Sequence, residues 1–344
     1  MTRLRVVDAG TVGALRSQAL WHGIAAAMKP GAAPVLSLCR PGAAYVSIGY
    51  HRRLDEIDGD VCRAEGLPVI RRQIGGGPVL IDADQLFFGI TLPVRDAPAG
   101  VDRLYARLLE PAAAAFRALG LDARLDGLND IAVGDLKISG TGAGQIGEAV
   151  VVVGNVIFGF DHERMARVLA LPDDAMRAEC LRLMRRHVGS LADAGGRAVS
   201  AADATAALRD AYGAAFGTPA DAALSAEEEA AVARWETRLA DERWTRGPRH
   251  GAPAPAGRRV KVRSDVFVVF GEEAGVRVLA SVVGDRIERA AVGAPHLNGT
   301  AAALQDALVG PCIDPRAVAG RLAAFGDDGR DVLTALAPGL EARW

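Results

Sequence analysis

Three consecutive glycines interrupt a run of apolar, strand-forming residues at positions 69–82, VIRRQIGGGPVLID. Glycine loses more backbone entropy on folding than any other residue, and it has no side chain to pack in a sheet. We therefore expect Gly75, Gly76 and Gly77 to leave the backbone bare so that another group can approach closely. Arg71 and Arg72, just before the glycines, indicate that this group is anionic. A β-bulge or a tight turn beside two solvated arginines stays open as the alternative.

The bulk properties of the chain are those of an ordinary globular protein. Of its 344 residues, 50% are hydrophobic and 24% are charged, and this length favours two domains over one. The net charge of −2 argues against a nucleic-acid binder, which would carry a basic excess. The longest apolar run, at 149–153, is too short to span a bilayer, and the N-terminus lacks an apolar signal core. We therefore predict a cytoplasmic protein that binds neither membranes nor nucleic acid.

The cysteines and histidines are scattered, without the spacing of a metal site or a disulfide framework. The cysteines stand at positions 39, 62, 180 and 312, and the histidines at 22, 51, 162, 187, 250 and 296. A nucleophilic thiol requires a nearby base or a positive environment, and no local pattern supplies either. We interpret the cysteines as small buried residues.

Hydrophobic periodicity in the first 246 residues predicts an α+β domain, not a doubly wound parallel sheet. Helices are expected at 15–28, 54–66 and 101–119, and helical patterns dominate from 163 to about 246. Strands are expected at 34–49 (two, joined at Pro41 and Gly42), 67–72, 85–93 and 148–160. Pro111 should kink or interrupt the third helix because proline lacks a backbone N–H.

A segment rich in proline and glycine, GPRHGAPAPAG at 247–257, predicts a linker between two domains. Behind it, strand patterns at 260–269, 275–283 and 287–292 precede helical patterns at 299–308 and 314–325. We therefore predict a first domain at 1–246 and a small α+β domain at 258–344.

A second candidate for chemistry is the segment 129–140, NDIAVGDLKISG, which is typical of a hairpin turning at Gly134 and Asp135. Lys137 lies there between apolar residues, and we interpret it as a partly buried cation facing a phosphate or a developing oxyanion. Asp130 could help to hold Mg²⁺, a hard cation that prefers carboxylate and phosphate oxygens. The alternative is an edge-strand lysine that guards the sheet against aggregation.

The segment 142–147, GAGQIG, matches the GxGxxG pattern of dinucleotide-binding proteins. That fingerprint requires a helix after the glycines, whereas residues 149–153 are a β-branched run. We reject the dinucleotide interpretation and predict a glycine-rich loop between strands.

Together these motifs resemble those of the lipoate–protein ligase family, within the biotin/lipoate ligase superfamily. RRQIGGGPVLID is similar to the family's RRxxGGGxVxHD motif, and NDIAVGDLKISGTGAG to its Asn-Asp and Gly-Arg-Lys-Ile-Ser-Gly segments. GNVIFGFD is similar to the family's strand ending in Asp, and the part from Trp244 onward to its C-terminal accessory domain. The resemblance covers nearly the whole chain. It implies mixed sheets flanked by helices, plus a small α+β accessory domain.

The resemblance also implies a two-step reaction with ATP, Mg²⁺ and lipoate or octanoate, in which an acyl-adenylate forms and a lysine of an acceptor takes the acyl group. The implied acceptor is an apo lipoyl-domain protein, such as a 2-oxoacid dehydrogenase E2 or a glycine-cleavage H-like protein. Lys137 would contact both the phosphate and the acyl carbonyl, and Asp130 would lie near the metal. The residues that would bind the nucleotide are Arg72, Gly75, Gly76, Gly77, Pro78, Val79, Leu80, Asn129, Asp130 and Lys137.

Five positions depart from the family pattern. Ile81 replaces the histidine of the glycine motif, and Val153 stands where family members often carry histidine. Gly142 and Ala143 replace the usual residues after Ser-Gly, and Pro78 replaces a small residue. A drier pocket for a different acyl group would follow.

Two other functions stay open. ATP-independent octanoyl or lipoyl transferases of the superfamily share these motifs, and some use a cysteine nucleophile. The sequence has no cysteine near Lys137, and those transferases generally lack the C-terminal domain, so the ligase is favoured. A non-catalytic lipoyl-binding member is the other possibility, although mere binding would not require the full set of site residues. Biotin ligases carry a Gly-Arg-Gly-Arg-type loop that is missing from this sequence.

Overall fold

The computed structural model describes residues 3–195, 198–251, 257–297 and 299–341. The chain divides into two compact units, residues 1–170 with 188–250 and residues 171–187 with 251–344. Residues 252–256 of the predicted linker lie outside the described residues, and the predicted boundary at 247–257 stays a prediction. None of the described helices is both long enough and apolar enough to cross a membrane.

Runs of consecutive strands and runs of consecutive helices follow one another along the chain. The strands are β1 (Arg3–Val12), β2 (Val35–Pro41), β3 (Tyr45–Ile48), β4 (Val69–Arg71), β5 (Val79–Ile81), β6 (Gln85–Pro93), β7 (Ala123–Asp126), β8 (Asp130–Val133), β9 (Leu136–Ile146), β10 (Ala149–Ile157), β11 (Thr218–Asp221), β12 (Gly257–Arg263), β13 (Val266–Glu273), β14 (Val276–Val283), β15 (Arg286–Gly293) and β16 (Gly310–Pro311). The α-helices are α1 (Ala14–Ala27), α2 (Gly59–Ala64), α3 (Val101–Ala118), α4 (His162–Val168), α5 (Asp174–His187), α6 (Leu191–Gly195), α7 (Ala201–Phe216), α8 (Ala226–Ala240), α9 (Glu242–Arg246), α10 (Ala301–Leu308), α11 (Pro315–Leu322) and α12 (Gly326–Glu341). Short 3₁₀ turns lie at Leu54–Glu56, Val94–Asp96 and Ala323–Phe325.

The first unit contains an eight-stranded sheet in the order β11-β1-β2-β6-β10-β9-β8-β7 and a three-stranded sheet in the order β4-β3-β5. In the large sheet, β1 pairs in parallel with β11 and β2. The neighbours in the series β2-β6-β10-β9-β8-β7 all pair antiparallel. This mixed sheet with flanking helices confirms the predicted α+β class.

Alternate residues of the central strands point to two separate apolar layers, as the two-residue period of a strand requires. Phe88 and Val152 pack in a layer with residues of α3 and α7. Phe87 and Val153 pack in the opposite layer with residues of α1 and α8. The large sheet is therefore covered on both faces, which explains why β6 is buried along its whole length.

The second unit contains a five-stranded sheet in the order β12-β13-β14-β15-β16. Residues of α10, α11 and α12 share its apolar core. Helix α5 belongs to this unit, and its Arg182 pairs with Glu179 at 2.6 Å and with Glu288 of β15 at 2.9 Å. The pair with Glu288, together with the pair of Arg289 and Glu179 at 3.3 Å, anchors the helix to β15.

Several local expectations are corrected by the structure. Helix α3 is not interrupted at Pro111, which is buried in the same apolar stripe as Leu108 and Phe116. The pattern at 260–269 forms two strands, because Asp265 adopts a left-handed turn with φ 57° between β12 and β13. Strands β1 and β11 and helix α12 were not expected.

Candidate functional site

The predicted glycines lie in the loop between β4 and β5, where Gly75 and Gly76 are exposed. Gly76 has φ 104°, a conformation that side chains disfavour. A Cβ on Gly49, just after β3, would overlap the carbonyl oxygen of Gly76, so the loop packs directly on its neighbour. Within the described part of the chain, the N–H groups of Gly75, Gly76 and Gly77 donate to no protein acceptor. Free successive N–H groups can bind an anion.

Arg72 holds this loop by its carbonyl groups. Its Nε and Nη2 donate to the carbonyl of Gly75 at 3.1 and 3.0 Å, and Nη2 also donates to Gly77 at 2.9 Å. Nη1 donates to Ser47 Oγ at 3.1 Å. Burial lowers the pKa of the Arg72 guanidinium to about 10, so it stays cationic at neutral pH. Arg72 therefore shapes the loop, and its predicted contact with a nucleotide stays a prediction.

Arg71 has a different role from the anion contact suggested by its position beside the glycines. Its side chain is fully buried, and the guanidinium donates only to backbone carbonyls. The acceptors are Gly49 (2.9 Å), Tyr50 (2.9 Å), Arg52 (2.7 Å), Thr245 (2.8 Å) and Arg246 (3.3 Å). Arg71 thus fastens the end of α9 to the turn after β3.

His22 of α1 supports the same loop, and nothing in its local sequence singled it out. Its Nε2 accepts the N–H of Gln73 at 3.0 Å, so the ring proton is on Nδ1, which donates to the carbonyl of Gln18 at 2.7 Å. The ring stacks on Trp21 with centroids 3.5 Å apart. Burial lowers the pKa of His22 to about 3, which keeps the ring neutral and able to accept this bond.

Lys137 and Asp130 form an ion pair across the predicted hairpin. β8 and β9 pair with a turn at Gly134, where φ is 55°, which confirms the hairpin. Lys137 Nζ lies 2.8 Å from Asp130 Oδ1, and the side chains are 19% and 0% exposed, respectively. The buried carboxylate of Asp130 thus holds the ammonium group of Lys137, which is partly exposed to solvent.

One face of β9 brings the lysine and the glycine loop together. A Cβ on Gly140 would lie 3.3 Å from Lys137 Nζ, and one on Gly142 would lie 3.3 Å from the carbonyl oxygen of Gly75. Residues two apart on a strand share a face and lie about 7 Å from each other. The ammonium group and the glycine loop therefore sit side by side. The loop predicted at 142–147 is mostly strand, and side chains are missing at Gly142 and Gly144 because Ile74 and the adjoining loop backbone occupy that space.

A chain of amide hydrogen bonds crosses the same region. The N–H of Gly140 donates to Asn155 Oδ1 at 3.0 Å, and Asn155 Nδ2 donates to Gln85 Oε1 at 2.7 Å. Gln85 Nε2 then donates to the carbonyl of Leu80 at 3.1 Å. Sequence reasoning missed both side chains, because each lies within an apolar strand pattern.

Two of the remaining predicted residues, Asn129 and Leu80, have hydrogen-bond partners within the protein. Asn129 Nδ2 donates to the carbonyl of Thr141 at 2.8 Å, and Thr141 Oγ1 donates back to the carbonyl of Asn129 at 2.6 Å. The N–H of Leu80 donates to the Sδ of Met165 at 3.2 Å. Pro78 is half-buried, and Val79 is 38% exposed beside the loop.

A magnesium ion would find few protein ligands here. Among the described residues, no group of three His, Cys, Asp or Glu side chains could hold a metal ion. Asp130 faces Lys137, so the residues fit only a cation that is held mainly by nucleotide phosphates. The predicted metal contact of Asp130 stays a prediction.

The two positions that lack a family histidine are apolar and buried. Ile81 is 3% and Val153 7% exposed, and both belong to the cluster that contains Trp21 and Ile74. Val153 pairs with Gly142 across β9 and β10. Buried apolar side chains therefore occupy both positions.

Three cysteines are buried, as expected, whereas Cys312 is exposed, so the prediction is wrong for that residue. Burial raises the pKa of Cys39 and Cys180 to about 12 and that of Cys62 to about 11. These three thiols stay protonated at neutral pH.

A cavity of about 890 Å³ lies elsewhere in the first unit. It is lined by the start of α1, by β4 and by residues of α8 and α9, and by none of the predicted site residues. The predicted apolar pocket for an acyl chain stays a prediction.

The comparison with protein families agrees with the motifs. Residues 15–213, more than half of the chain, match the model of the lipoyl protein ligase A/B catalytic domain. A candidate lipoate-protein ligase A of Aeropyrum pernix is 31% identical over 125 residues, 36% of this chain and 46% of that protein. The octanoyltransferase LipM of Symbiobacterium thermophilum is 26% identical over 239 residues, 62% of this chain and 85% of that protein. The chain thus spans less than half the length of the Aeropyrum relative.

Solved structures show the same fold. The bipartite lipoate protein ligase of Thermoplasma acidophilum, studied with its E2 lipoyl domain, is 24% identical with a TM-score of 0.67, over 72% of this chain and 97% of that chain. A candidate ligase of the same organism with bound lipoic acid gives a TM-score of 0.60, at 22% identity over 72% and 99% of the chains. Lipoate-protein ligase A bound with ATP gives 0.61, at 22% identity over 72% and 98%. The chain belongs to the family of lipoyl protein ligase A/B catalytic domains.

Proposed function

We propose that this protein is an ATP-dependent ligase that activates lipoate or octanoate as an acyl-adenylate and transfers the acyl group to a lysine of a lipoyl domain. The observation that carries the proposal is the face of β9, where the Lys137 ammonium group lies beside a glycine loop with free N–H groups. Both features suit the negative charge that gathers on oxygen in phosphoryl and acyl transfer.

In the first step, a carboxylate oxygen of the acid attacks the α-phosphorus of ATP, and the bond to pyrophosphate breaks. The N–H groups of Gly75, Gly76 and Gly77 would bind phosphate oxygens, while Arg72 keeps the loop carbonyls turned to itself. Lys137 would neutralise charge shared by the acyl carboxylate and the α-phosphate. A magnesium ion, where bound to the nucleotide, would neutralise the phosphates.

In the second step, the acceptor lysine attacks the acyl carbonyl, and the bond from carbon to the AMP oxygen breaks. The amide forms, the amine loses a proton and AMP leaves. Lys137 would stabilise the oxyanion of the tetrahedral intermediate. Asp130 would orient the ammonium group, since its buried carboxylate lies 2.8 Å from Lys137 Nζ.

We propose that the acyl chain lies against the apolar surface beside the glycine face. Ile81 and Val153 belong to the apolar cluster there, and an apolar environment favours a hydrocarbon chain. The reaction is assigned to residues 1–246, with residues 258–344 as an accessory domain.

The solved relatives support the choice of ligands. One has lipoic acid bound, another has ATP bound, and a third was studied with its E2 lipoyl domain. An apo lipoyl domain is the corresponding acceptor for this protein.

The second candidate function is ATP-independent transfer of an octanoyl or lipoyl group, which the match to an octanoyltransferase favours. A cysteine mechanism would require a thiolate, and the raised pKa values of Cys39, Cys62 and Cys180 oppose one at these positions. A direct transfer would also leave the free N–H groups of the glycine loop without a phosphate to bind.

The test is the intact mass of an apo lipoyl domain after incubation with the protein, Mg²⁺, lipoate and either ATP or no nucleotide. We expect a gain of one lipoyl group only with ATP. Lys137→Met should lower the rate on the order of a hundredfold. Lys29→Met is the matched control, because Lys29 is 69% exposed and pairs with Glu227. Transfer from an octanoyl carrier protein without ATP would instead establish the second function, and no transfer in either reaction would refute both.

A further inference from the structure

We infer that Gln85 and Asn155 are positioning residues, which hold the Lys137 hairpin in register with the strand that follows the glycine loop. The inference rests on the proposed function for its catalytic consequence, but its geometry is independent of that function. The two side chains connect the backbone N–H of Gly140 to the backbone carbonyl of Leu80 through bonds of 3.0, 2.7 and 3.1 Å.

The direction of this amide chain is fixed at both ends. A backbone N–H can only donate, so Asn155 must present its oxygen to Gly140 and its NH₂ group to Gln85. Gln85 must then present its oxygen to Asn155, which leaves its NH₂ group for the carbonyl of Leu80. Neither amide can flip without losing bonds, so both orientations are determined.

The ends of the chain lie at the two halves of the candidate site. At Gly140, a Cβ would lie 3.3 Å from Lys137 Nζ and 4.0 Å from Asn155 Oδ1, so ammonium and amide oxygen border the same gap. At the other end, Leu80 lies in β5, three residues after Gly77. Met165 Sδ accepts the N–H of Leu80, so both backbone groups of this residue have side-chain partners.

Burial makes the chain act as a unit. Gln85 is 1% exposed and Asn155 is half-buried, so an amide that loses its partner there is poorly compensated by water. Removing either side chain breaks the connection between Gly140 and Leu80. Effects of the two substitutions should therefore fail to add.

The first test measures the position of Lys137 without using enzymatic activity. Gln85→Met, Asn155→Leu and the double variant are labelled with an amine-reactive ester, and the labelling rate of Lys137 is followed by peptide mass spectrometry. Lys29 in the same molecules is the internal reference. We expect each single variant to change the Lys137 rate severalfold, and the double variant to match the singles.

The control is Gln145→Met. Gln145 is on β9, the strand of Lys137, but it is exposed, and its side chain donates to the carbonyl of Gly147 at 3.1 Å. Its Lys137 rate should equal that of the parent protein. A folded Gln85→Met protein with an unchanged Lys137 rate would refute the inference. A change in Asn155→Leu alone would also refute it, because it would show a local contact and not a connection to Leu80.

The second test measures acyl transfer. In both single variants kcat should fall on the order of a hundredfold, the usual effect of a misplacement of about 1 Å, with little change in the KM for the acceptor. A lower melting temperature with an unchanged kcat would show a merely structural role. If the parent protein transfers no acyl group, the proposed function fails, and the labelling rates still decide the role of Gln85 and Asn155.

Discussion

The neutral, buried His22 predicts that the first unit loses stability in mild acid. The pKa of its imidazole is lowered to about 3 by burial, and the nearby Arg72 charge lowers it further. An unfolded chain has a histidine pKa of about 6.5. Between these values the unfolded state binds a proton that the folded state excludes, so acid favours unfolding. The contribution of His22 is complete above pH 6.5 and is lost as the pH falls toward 3.

The magnitude follows from these two pKa values. From pH 7 to pH 5, the unfolded histidine goes from mostly neutral to almost fully protonated, while the folded one stays neutral. Proton linkage then lowers the free energy of unfolding by about 2 kcal/mol. Protonation of His22 would also break a hydrogen bond, since the N–H of Gln73 needs an unprotonated Nε2 as its acceptor.

Urea unfolding followed by tryptophan fluorescence measures the effect. Trp21, Trp235 and Trp244 lie in the first unit, so the signal reports largely on it. His22→Gln keeps an acceptor for Gln73 but cannot titrate, and it should lose about 2 kcal/mol less than the parent protein between pH 7 and pH 5. His51→Gln, at an exposed position, is the control and should follow the parent. Equal losses in His22→Gln and the parent would refute the reasoning.

Three further predictions follow from single contacts. Lys137→Met removes the ammonium partner of buried Asp130 and should lower the free energy of unfolding by about 3 kcal/mol, while the double variant with Asp130→Asn should recover part of it in thermal melts. Recovery of activity in that double variant would contradict the role of Lys137. Gly142→Val should displace the glycine loop, because its Cβ would lie 2.9 Å from Ile74 Cδ1, and should weaken ATP binding measured by calorimetry; unchanged binding would show that the loop does not hold phosphate. Arg71→Met removes one donor from each of five carbonyls, of which that of Gly49 keeps the N–H of Arg52, and should cost at least about 3 kcal/mol in denaturant unfolding, whereas a loss below about 1 kcal/mol would mean that water replaces these bonds.

The sequence by itself determined the features that depend on neighbours along the chain. The hairpin at Gly134 follows from its turn residues, the strand at 85–93 from its apolar run, and the mixed α+β class from the order of such patterns. The motifs around Gly75 and Lys137 also identified the family, because their residue types and spacing are local.

Only the tertiary structure decided what the individual polar groups do. Arg71 and Arg72 are adjacent in sequence, yet Arg71 holds the end of α9, which is distant in sequence, whereas Arg72 turns back to carbonyls of the glycine loop three and five residues further on. His22 and Gln85 gave no local signal, since each acts on a backbone group brought close by folding. Gly142 and Gly144 of β9 predicted a loop from the sequence, whereas in the structure Ile74 occupies the space of their side chains. Sequence patterns record which faces are apolar, whereas hydrogen-bond partners depend on contacts between segments that only the folded chain brings together.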